Sequence, residues 1–411
     1  MDKVTHVNYS KSGGAGIVAK TLSEYQRNYS KYQSELITKI NENHRKEPFV
    51  NWKITLLATI DEYLVKNRKS KTMISLYRNI SDSEFIERVK TKSTLLHLHW
   101  LNGLMTYEDV SVISSNKTPI VWTLHDMEPF TGGCHQALSC QGYLRQCALC
   151  PEVKKNYHNY IKSQHNLKFS LKKNLKNVVF VTPSEWLRKK ANNSSILGEH
   201  RIHLVKNPIN NLFFKMSKLE KRRESYGISE KDIVLGFVST NLNFSLKNYL
   251  ELKNLVKNLN QFSDTRYILL AIGKIENSKK EDNILEVGYV SSVEEMSEFY
   301  QMMDILISVS EAESFGLTVA EAAACRVPAL VLAGTGSEEV VRDTKGGASF
   351  GDFRDLRNIL NGLDGEKKII YNWKNNICRS KVNQYKVSEI AKKYDMLYLK
   401  AIKMVRLSPM R

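Results

Sequence analysis

Short runs of aliphatic and β-branched residues recur along the chain, and longer stretches with apolar positions at helical spacing lie between them. Residues 4–9 form the first run. They lead into Ser12-Gly13-Gly14-Ala15-Gly16, after which Ile17, Val18 and Leu22 fall at helical spacing. Runs at 94–100, 120–124 and 177–181 follow, the last two ending at His125-Asp126 and Thr182-Pro183-Ser184. These runs are continuous rather than alternating, as in strands buried on both faces of a parallel sheet. A second series begins after Asn207-Pro208, with runs at 233–238, 267–272, 284–287, 305–309 and 328–332. The repetition predicts two α/β domains, at 1–206 and 207–385. A basic helical stretch at 215–223 lies just past the boundary. Residues 388–398 carry apolar positions at helical spacing and no strand follows them. The segment 386–411 is therefore expected to be a terminal helix that caps the second domain or crosses back to the first.

The chain has 411 residues, of which 42% are hydrophobic and 25% charged, a composition that excludes a disordered chain. Its net charge of +18 favours anionic partners: nucleic acid, acidic lipid headgroups or phosphorylated small molecules. No run approaches the ~18 apolar residues of a membrane-spanning helix. The first residues lack the apolar core of a secretion signal, so a cytoplasmic protein is expected. Four of its cysteines, Cys134, Cys140, Cys147 and Cys150, cluster in an insert at 134–151. In a reducing compartment such a cluster reads as a metal site or free thiols ahead of disulfides. Four thiolates can hold a structural zinc, and Cys147-x2-Cys150 has the spacing of a usual half-site. The gap between Cys134 and Cys140 is wider than usual.

The sharpest chemical signal lies at 311–328. A predicted strand ends at Ser308–Ser310, a loop with Gly316 follows, and a helix then carries Glu321. Two carboxylates, Glu313 and Glu321, thus flank a loop-to-helix junction whose backbone N–H groups can meet an anion or a hydroxyl. Glycines at 13–16 let backbone approach a phosphate or a sugar, although they lack the spacing of a dinucleotide loop. His125 and Asp126 stand at the carboxyl end of a predicted strand, where ligands of open α/β sheets gather. The alternative for His125 is a buried structural histidine.

The 311–328 block resembles the E-x7-E motif of the family 4 retaining glycosyltransferases, which have the GT-B fold. The blocks His97-Leu98-His99-Trp100 and 122–135, the latter ending in Gly132-Gly133-Cys134-His135, resemble the colanic-acid and exopolysaccharide-type branch, which shares the Cys-rich insert. The resemblance covers nearly the whole chain. It implies two facing Rossmann-like domains with a cleft between them, the donor mainly on the second and the acceptor mainly on the first. It implies that Glu313 contacts the transferred sugar, that Glu321 holds the nucleotide ribose, and that Ser314, Phe315, Gly316 and Leu317 supply contacts near sugar and phosphate. Gly14 would contact the donor diphosphate or the acceptor, and His125 would face the sugar ring. Lys247 matches the lysine of an Arg–Lys pair that holds the diphosphate, with help from backbone at Gly336. The arginine position falls on Asn241, the usual glycine after the lysine is Asn248, and Arg326 and Glu338 replace a usual Gly and Pro.

The implied reaction transfers a hexosyl unit from a nucleoside diphosphate sugar to a saccharide or lipid-linked saccharide, with retention, in bacterial surface polysaccharide assembly. No cofactor is required, and zinc at the four cysteines would be structural. A lipid-linked acceptor gives a purpose to residues 151–176, which hold seven Lys and one acid with apolar residues between them. Such a helix can lie on the anionic inner face of the cytoplasmic membrane or pack on its own domain. The alternative readings are a GT-B sugar-nucleotide epimerase and a nucleic-acid-binding protein with a Cys-rich metal module. No nucleic-acid motif accompanies the charge, so no nucleic-acid partner is expected.

Overall fold

The computed structural model describes residues 2–39, 65–67, 70–75, 83–216, 220–275, 281–363 and 367–407. It divides into two compact units, Met1–Pro208 with Ile390–Arg411, and Ile209–Glu389. Each unit holds one parallel sheet of six described strands.

In the first unit the strands are β1 (Lys3–Asn8), β2 (Gln33–Thr38), β3 (Leu95–Leu98), β4 (Ile120–Thr123), β5 (Val178–Thr182) and β6 (Ile202–Leu204), in the order β2-β1-β3-β4-β5-β6. Successive side chains point to opposite faces. Leu96, Leu98, Trp122 and Phe180 enter the core on one side. Val4, Leu95, Val121, Val179 and Val181 enter the core on the other. That second core is closed by the helix Val387–Leu407, which contributes Ile390, Tyr394, Tyr398, Ala401 and Ile402. Ile390 and Ile402 each add roughly 1.5–3 kcal/mol by leaving water. The terminal helix is thus a wall of the first unit from residue 390 onward.

The second unit holds β7 (Ile233–Asn241), β8 (Tyr267–Lys274), β9 (Ile284–Glu286), β10 (Ile305–Ser308), β11 (Ala329–Leu332) and β12 (Gly347–Phe350). Their order is β12-β11-β10-β7-β8-β9, the doubly wound order of a Rossmann sheet. It reverses direction between β7 and β10, and a crevice at the carboxyl ends of these two strands is where such sheets bind ligands.

Three strands escape the sequence pattern: β2, β6 and β12. All three lie at sheet edges. The basic stretch at 215–223 resolves into a helix, Glu220–Ser225, while 217–219 lie outside the described residues. Among the described residues no helix is long and apolar enough to cross a membrane.

Candidate functional site

In the second unit the loops after β7 and β10 bring together residues far apart in sequence. After β7 a short turn, Ser245–Lys247, presents Lys247, and after β10 the loop presents Glu313. The two side chains form an ion pair at the reversal point of the sheet, each about one-quarter exposed or less. Asn248 sits at φ 50°, the left-handed region, which Asn tolerates better than most residues. Its amide donates to Val309 O at 3.1 Å and Glu311 Oε1 at 3.2 Å, so it fastens the β7 loop to the β10 loop. Asparagine here keeps the backbone that glycine would have, which explains how the departure at 248 is accommodated. Asn241, in the arginine position, is exposed and accepts from the Asn243 N–H at 2.8 Å. Its register partner on β8 is Lys274.

The loop 313–316 is pinned to the start of the helix Gly336–Thr344. Gly336 N–H donates to Glu313 O at 2.7 Å, and a Cβ on Gly336 would meet that oxygen at 2.7 Å and Ser314 carbonyl carbon at 2.5 Å. Gly316 has φ +85°, and a Cβ there would lie 2.4 Å from Ser337 Oγ. Any larger residue at either place would push the loop off the helix. Phe315 is buried against Tyr385, with ring centroids 5.7 Å apart, and Ser314 is also buried. What this segment offers a ligand is therefore backbone. The first N–H groups of the helix Leu317–Ala324 have no partner within that helix, which suits a phosphate oxygen or a hydroxyl.

Glu321 lies in the first turns of the same helix and is 8% exposed. Burial pushes its pKa up to about 7, although the Tyr300 hydroxyl, donating to Oε2 at 2.7 Å, works against the shift. Oε1 has no partner among the described residues. Tyr300 is the residue that sequence reasoning missed here; its only signal was an apolar helix face shared with Phe299.

In the first unit Gly14 is exposed, and a Cβ there would meet nothing within 4 Å. His125 follows β4, as expected, but it is one of four linked imidazoles. Its Nε2 lies 3.0 Å from His99 Nδ1, and His99 Nε2 lies 3.1 Å from His6 Nδ1. His97 contacts Tyr398 Oη and Thr123 Oγ1, each at 2.8 Å. Burial lowers the pKa of His6 and of His125 to about 4. Burial and neighbouring imidazoles take His97 and His99 well below the usual value. Among the described residues His6, His97 and His99 are the group whose ligand atoms lie within 4.8 Å of one another. All six of their ring nitrogens already have hydrogen-bond partners, so the group is a packed network and not an open metal cage.

Asp126 does not face outward. It takes Trp100 Nε1–H at 2.9 Å and lies 2.6 Å from His135 Nδ1, whose Nε2 is 2.6 Å from Ser75 Oγ. Burial acts to raise the Asp126 pKa, yet His135 and the other donors leave it below the ordinary value. Ser75 N–H also donates to Gly133 O at 2.8 Å, and His135 N–H to Met73 O at 3.0 Å. The Asp–His–Ser series therefore staples the 70–75 segment to the Cys-rich insert.

The four insert cysteines are free thiols around one cavity of about 10 Å³, lined also by Ile74, Tyr143 and Ile161. Backbone N–H groups reach two of the sulfurs, Gly132 to Cys147 Sγ at 3.3 Å and Gly142 to Cys140 Sγ at 3.4 Å. No three of the sulfurs are gathered as closely as the His6 group. The basic stretch that follows contains the helix His158–Leu171. Two of its lysines turn inward: Lys168 pairs with Glu128 and Lys172 with Glu199, each at 2.6 Å. Lys172 also lines a cavity of about 290 Å³ with Lys173, Lys176, Arg201, His203 and Lys400, at the amino ends of β5 and β6.

Residues 218–361 match the family described as glycosyl transferases group 1. The chain is 23% identical over 260 residues to a protein of Escherichia coli K12 named as a colanic acid biosynthesis glycosyl transferase, WcaC, covering 61% of this chain and 62% of that one. It is 26% identical over 203 residues to the N-acetyl-alpha-D-glucosaminyl L-malate synthase of Bacillus anthracis, covering 46% of this chain and 50% of that one. The chain thus spans between half and two thirds of the length of these relatives. Among solved structures it is similar to Anabaena HepE in complex with UDP and glucose, with TM-score 0.61 and 14% identity, over 97% of this chain and 99% of that one. The architecture is the GT-B fold of two Rossmann-like units.

Proposed function

We propose that this chain, whose residues 218–361 are a glycosyl transferases group 1 domain, transfers a hexosyl unit from a nucleoside diphosphate sugar to a saccharide or lipid-linked saccharide acceptor, with retention. The observation that carries this reading is the Lys247–Glu313 pair at the reversal point of the second sheet. In the resting chain cation and carboxylate satisfy each other. A donor diphosphate would take over Lys247 and free Glu313 for sugar hydroxyls. The helix start at Leu317 would meet the phosphates, whereas the Gly336 N–H is already given to Glu313 O, and the open Oε1 of Glu321 would take a ribose hydroxyl. Lys274, beside Asn241 in the sheet, is the residue we assign to replace the absent arginine. Such preorganised donors stabilise a departing diphosphate more than a neutral substrate. The leaving phosphate then takes the acceptor proton, and no dedicated base is needed.

The first unit contributes His125 and the acceptor seat in this proposal. HepE, solved with UDP-glucose, supports a UDP-sugar as the first donor to try. The relation to WcaC supports surface polysaccharide assembly as the setting. The cationic cavity of the first unit supports contact with an anionic membrane surface, tested by co-sedimentation with vesicles of phosphatidylglycerol against phosphatidylcholine. The four insert thiols would hold zinc as a structural staple, and metal analysis of the purified protein tests that. The decisive experiment is a panel of UDP- and GDP-sugars scored by stabilisation. The true donor at 100 times its Kd adds about 2.7 kcal/mol. A protein stabilised by no nucleotide sugar would end the proposal.

A further inference from the structure

The four linked histidines of the first unit allow their hydrogens to be placed by elimination. The fixed end is Asp395, on the helix Val387–Leu407. A carboxylate only accepts, so the Gln26 amide turns its NH2 group toward Asp395 Oδ1, 3.1 Å away. Gln26 Oε1 then faces His6 Nε2 at 2.9 Å and the Tyr398 hydroxyl at 3.3 Å. An amide oxygen also only accepts, so His6 carries its hydrogen on Nε2. His6 Nδ1 is left as a lone pair, and His99 Nε2 donates to it across 3.1 Å. His99 Nδ1 is in turn a lone pair, and receives the hydrogen of His125 Nε2 across 3.0 Å. All three rings are neutral, because burial holds His6 and His125 near pKa 4 and His99 well below its usual value. A neutral ring has one N–H, and in His125 it is spent on His99. The other nitrogen, Nδ1, has no partner among the described residues.

A second file ends at the same place. The Tyr398 hydroxyl donates to Gln26 Oε1 and so accepts from His97 Nδ1 at 2.8 Å. His97 Nε2 accepts from Thr123 Oγ1, which accepts from the Tyr394 hydroxyl, each at 2.8 Å. Both files point toward one amide oxygen with Asp395 behind it. Ser30 Oγ holds the other carboxylate oxygen at 3.0 Å.

We propose that Asp395 and Gln26 are positioning residues that lock His125 as the Nε2–H tautomer, so that Nδ1 accepts a hydrogen bond from a hydroxyl and has none to give an anion. The ligand group that meets His125 is then a neutral hydroxyl and not a phosphate or carboxylate. The lock stands on these hydrogen bonds between rings that burial keeps neutral; that the hydroxyl belongs to a sugar rests on the transfer reading above.

The test is long-range proton–nitrogen NMR on 15N-histidine protein at pH 7.5. His6, His99 and His125 are expected as Nε2–H and His97 as Nδ1–H. An Nδ1–H or mixed His125 overturns the proposal. Asp395→Asn removes the acceptor-only end, and His125 is expected to split between tautomers; a single unchanged tautomer there overturns the positioning role. Asp395→Glu keeps an acceptor-only end and is expected to retain the wild-type pattern, so its loss in a folded Asp395→Glu protein also overturns the role. Transfer assays on the same samples separate the two readings. Wild-type tautomers without transfer from any nucleotide sugar leave the lock standing and remove the sugar.

Discussion

In the proposed transfer, three single residues divide the chemistry: Lys247, Glu313 and Glu321. Losing either partner of the Lys247–Glu313 pair leaves the other without its counter-charge and, in the proposed reaction, removes a contact to the transition state. Glu313→Ala and Lys247→Ala are each expected to lower turnover at least ~10²-fold, the scale of losing one preorganised donor. Near-normal transfer by both would remove the site from this unit. Glu321 carries a different signature. Its folded pKa of about 7 lies above the unfolded value, so the native state binds more protons between roughly pH 4.5 and 7. Stability from this group is full below the unfolded pKa and lost as pH rises through 7. Glu321→Gln, which holds a neutral amide at every pH, is expected to raise the urea midpoint relative to wild type at pH 8 and not at pH 4.5. The same substitution should weaken donor binding, since the amide is a poorer partner for a ribose hydroxyl. An equal midpoint shift at both pH values would show that titration of Glu321 is not the cause.

At the level of elements, the pattern of apolar runs was sufficient for strands buried on both faces, and at the rims it found β9 alone. β1, β3, β4, β5, β7, β8, β10 and β11 are interior strands, with continuous aliphatic runs to match. β2, β6 and β12 are edges, with sequences such as Gln33-Ser34-Glu35 and Gly347-Ala348-Ser349 that must face solvent on one side. The loop motifs around Glu313 and Lys247 were readable because each is local. The histidine network was not, because it joins His6, Gln26 and Asp395 from three distant segments. The sign available was His97-x-His99 at period two, which places both rings on one face of β3. The Cys-rich insert gives an element-level test. Burial pushes Cys147 up to about 11 and Cys134 well above its usual value. Cys378, by contrast, is lowered by the Ser380 hydroxyl and the Lys381 N–H. Thiolates react and thiols do not, so in native protein at pH 7.5 a disulfide reagent should label Cys378 before Cys134 and Cys147. Mass mapping that finds the first label on Cys134 or Cys147 would contradict their burial.

At the scale of the whole molecule, His6 and Glu321 pull the two units in opposite directions in acid. The first holds buried neutral histidines. His6 has a folded pKa near 4, below the unfolded value of a histidine, so the unfolded state binds the extra proton between about pH 6.5 and 4. Acidification then costs the first unit on the order of 3 kcal/mol from His6 alone. The second unit gains over much of the same range through Glu321. Hydrogen exchange by mass spectrometry, corrected for intrinsic rates, is expected to show protection falling in β1–β6 and holding or rising in β7–β12 from pH 7.5 to 5. Parallel loss in both units would sink this assignment.

The helix Val387–Leu407 closes one core of the first unit, yet in the chain it follows the whole second unit. Residues 209–389, the whole second unit, must be translated before it exists. At 5–20 residues per second that is a delay of roughly 10–40 s. Throughout this time Val4, Leu95, Val121 and Val179 line an unfinished core. The second unit can fold as it emerges, whereas the first waits for a segment translated after it. A ribosome stalled or a message cut within that helix would therefore leave the earlier-made unit unfinished beside a finished later-made one.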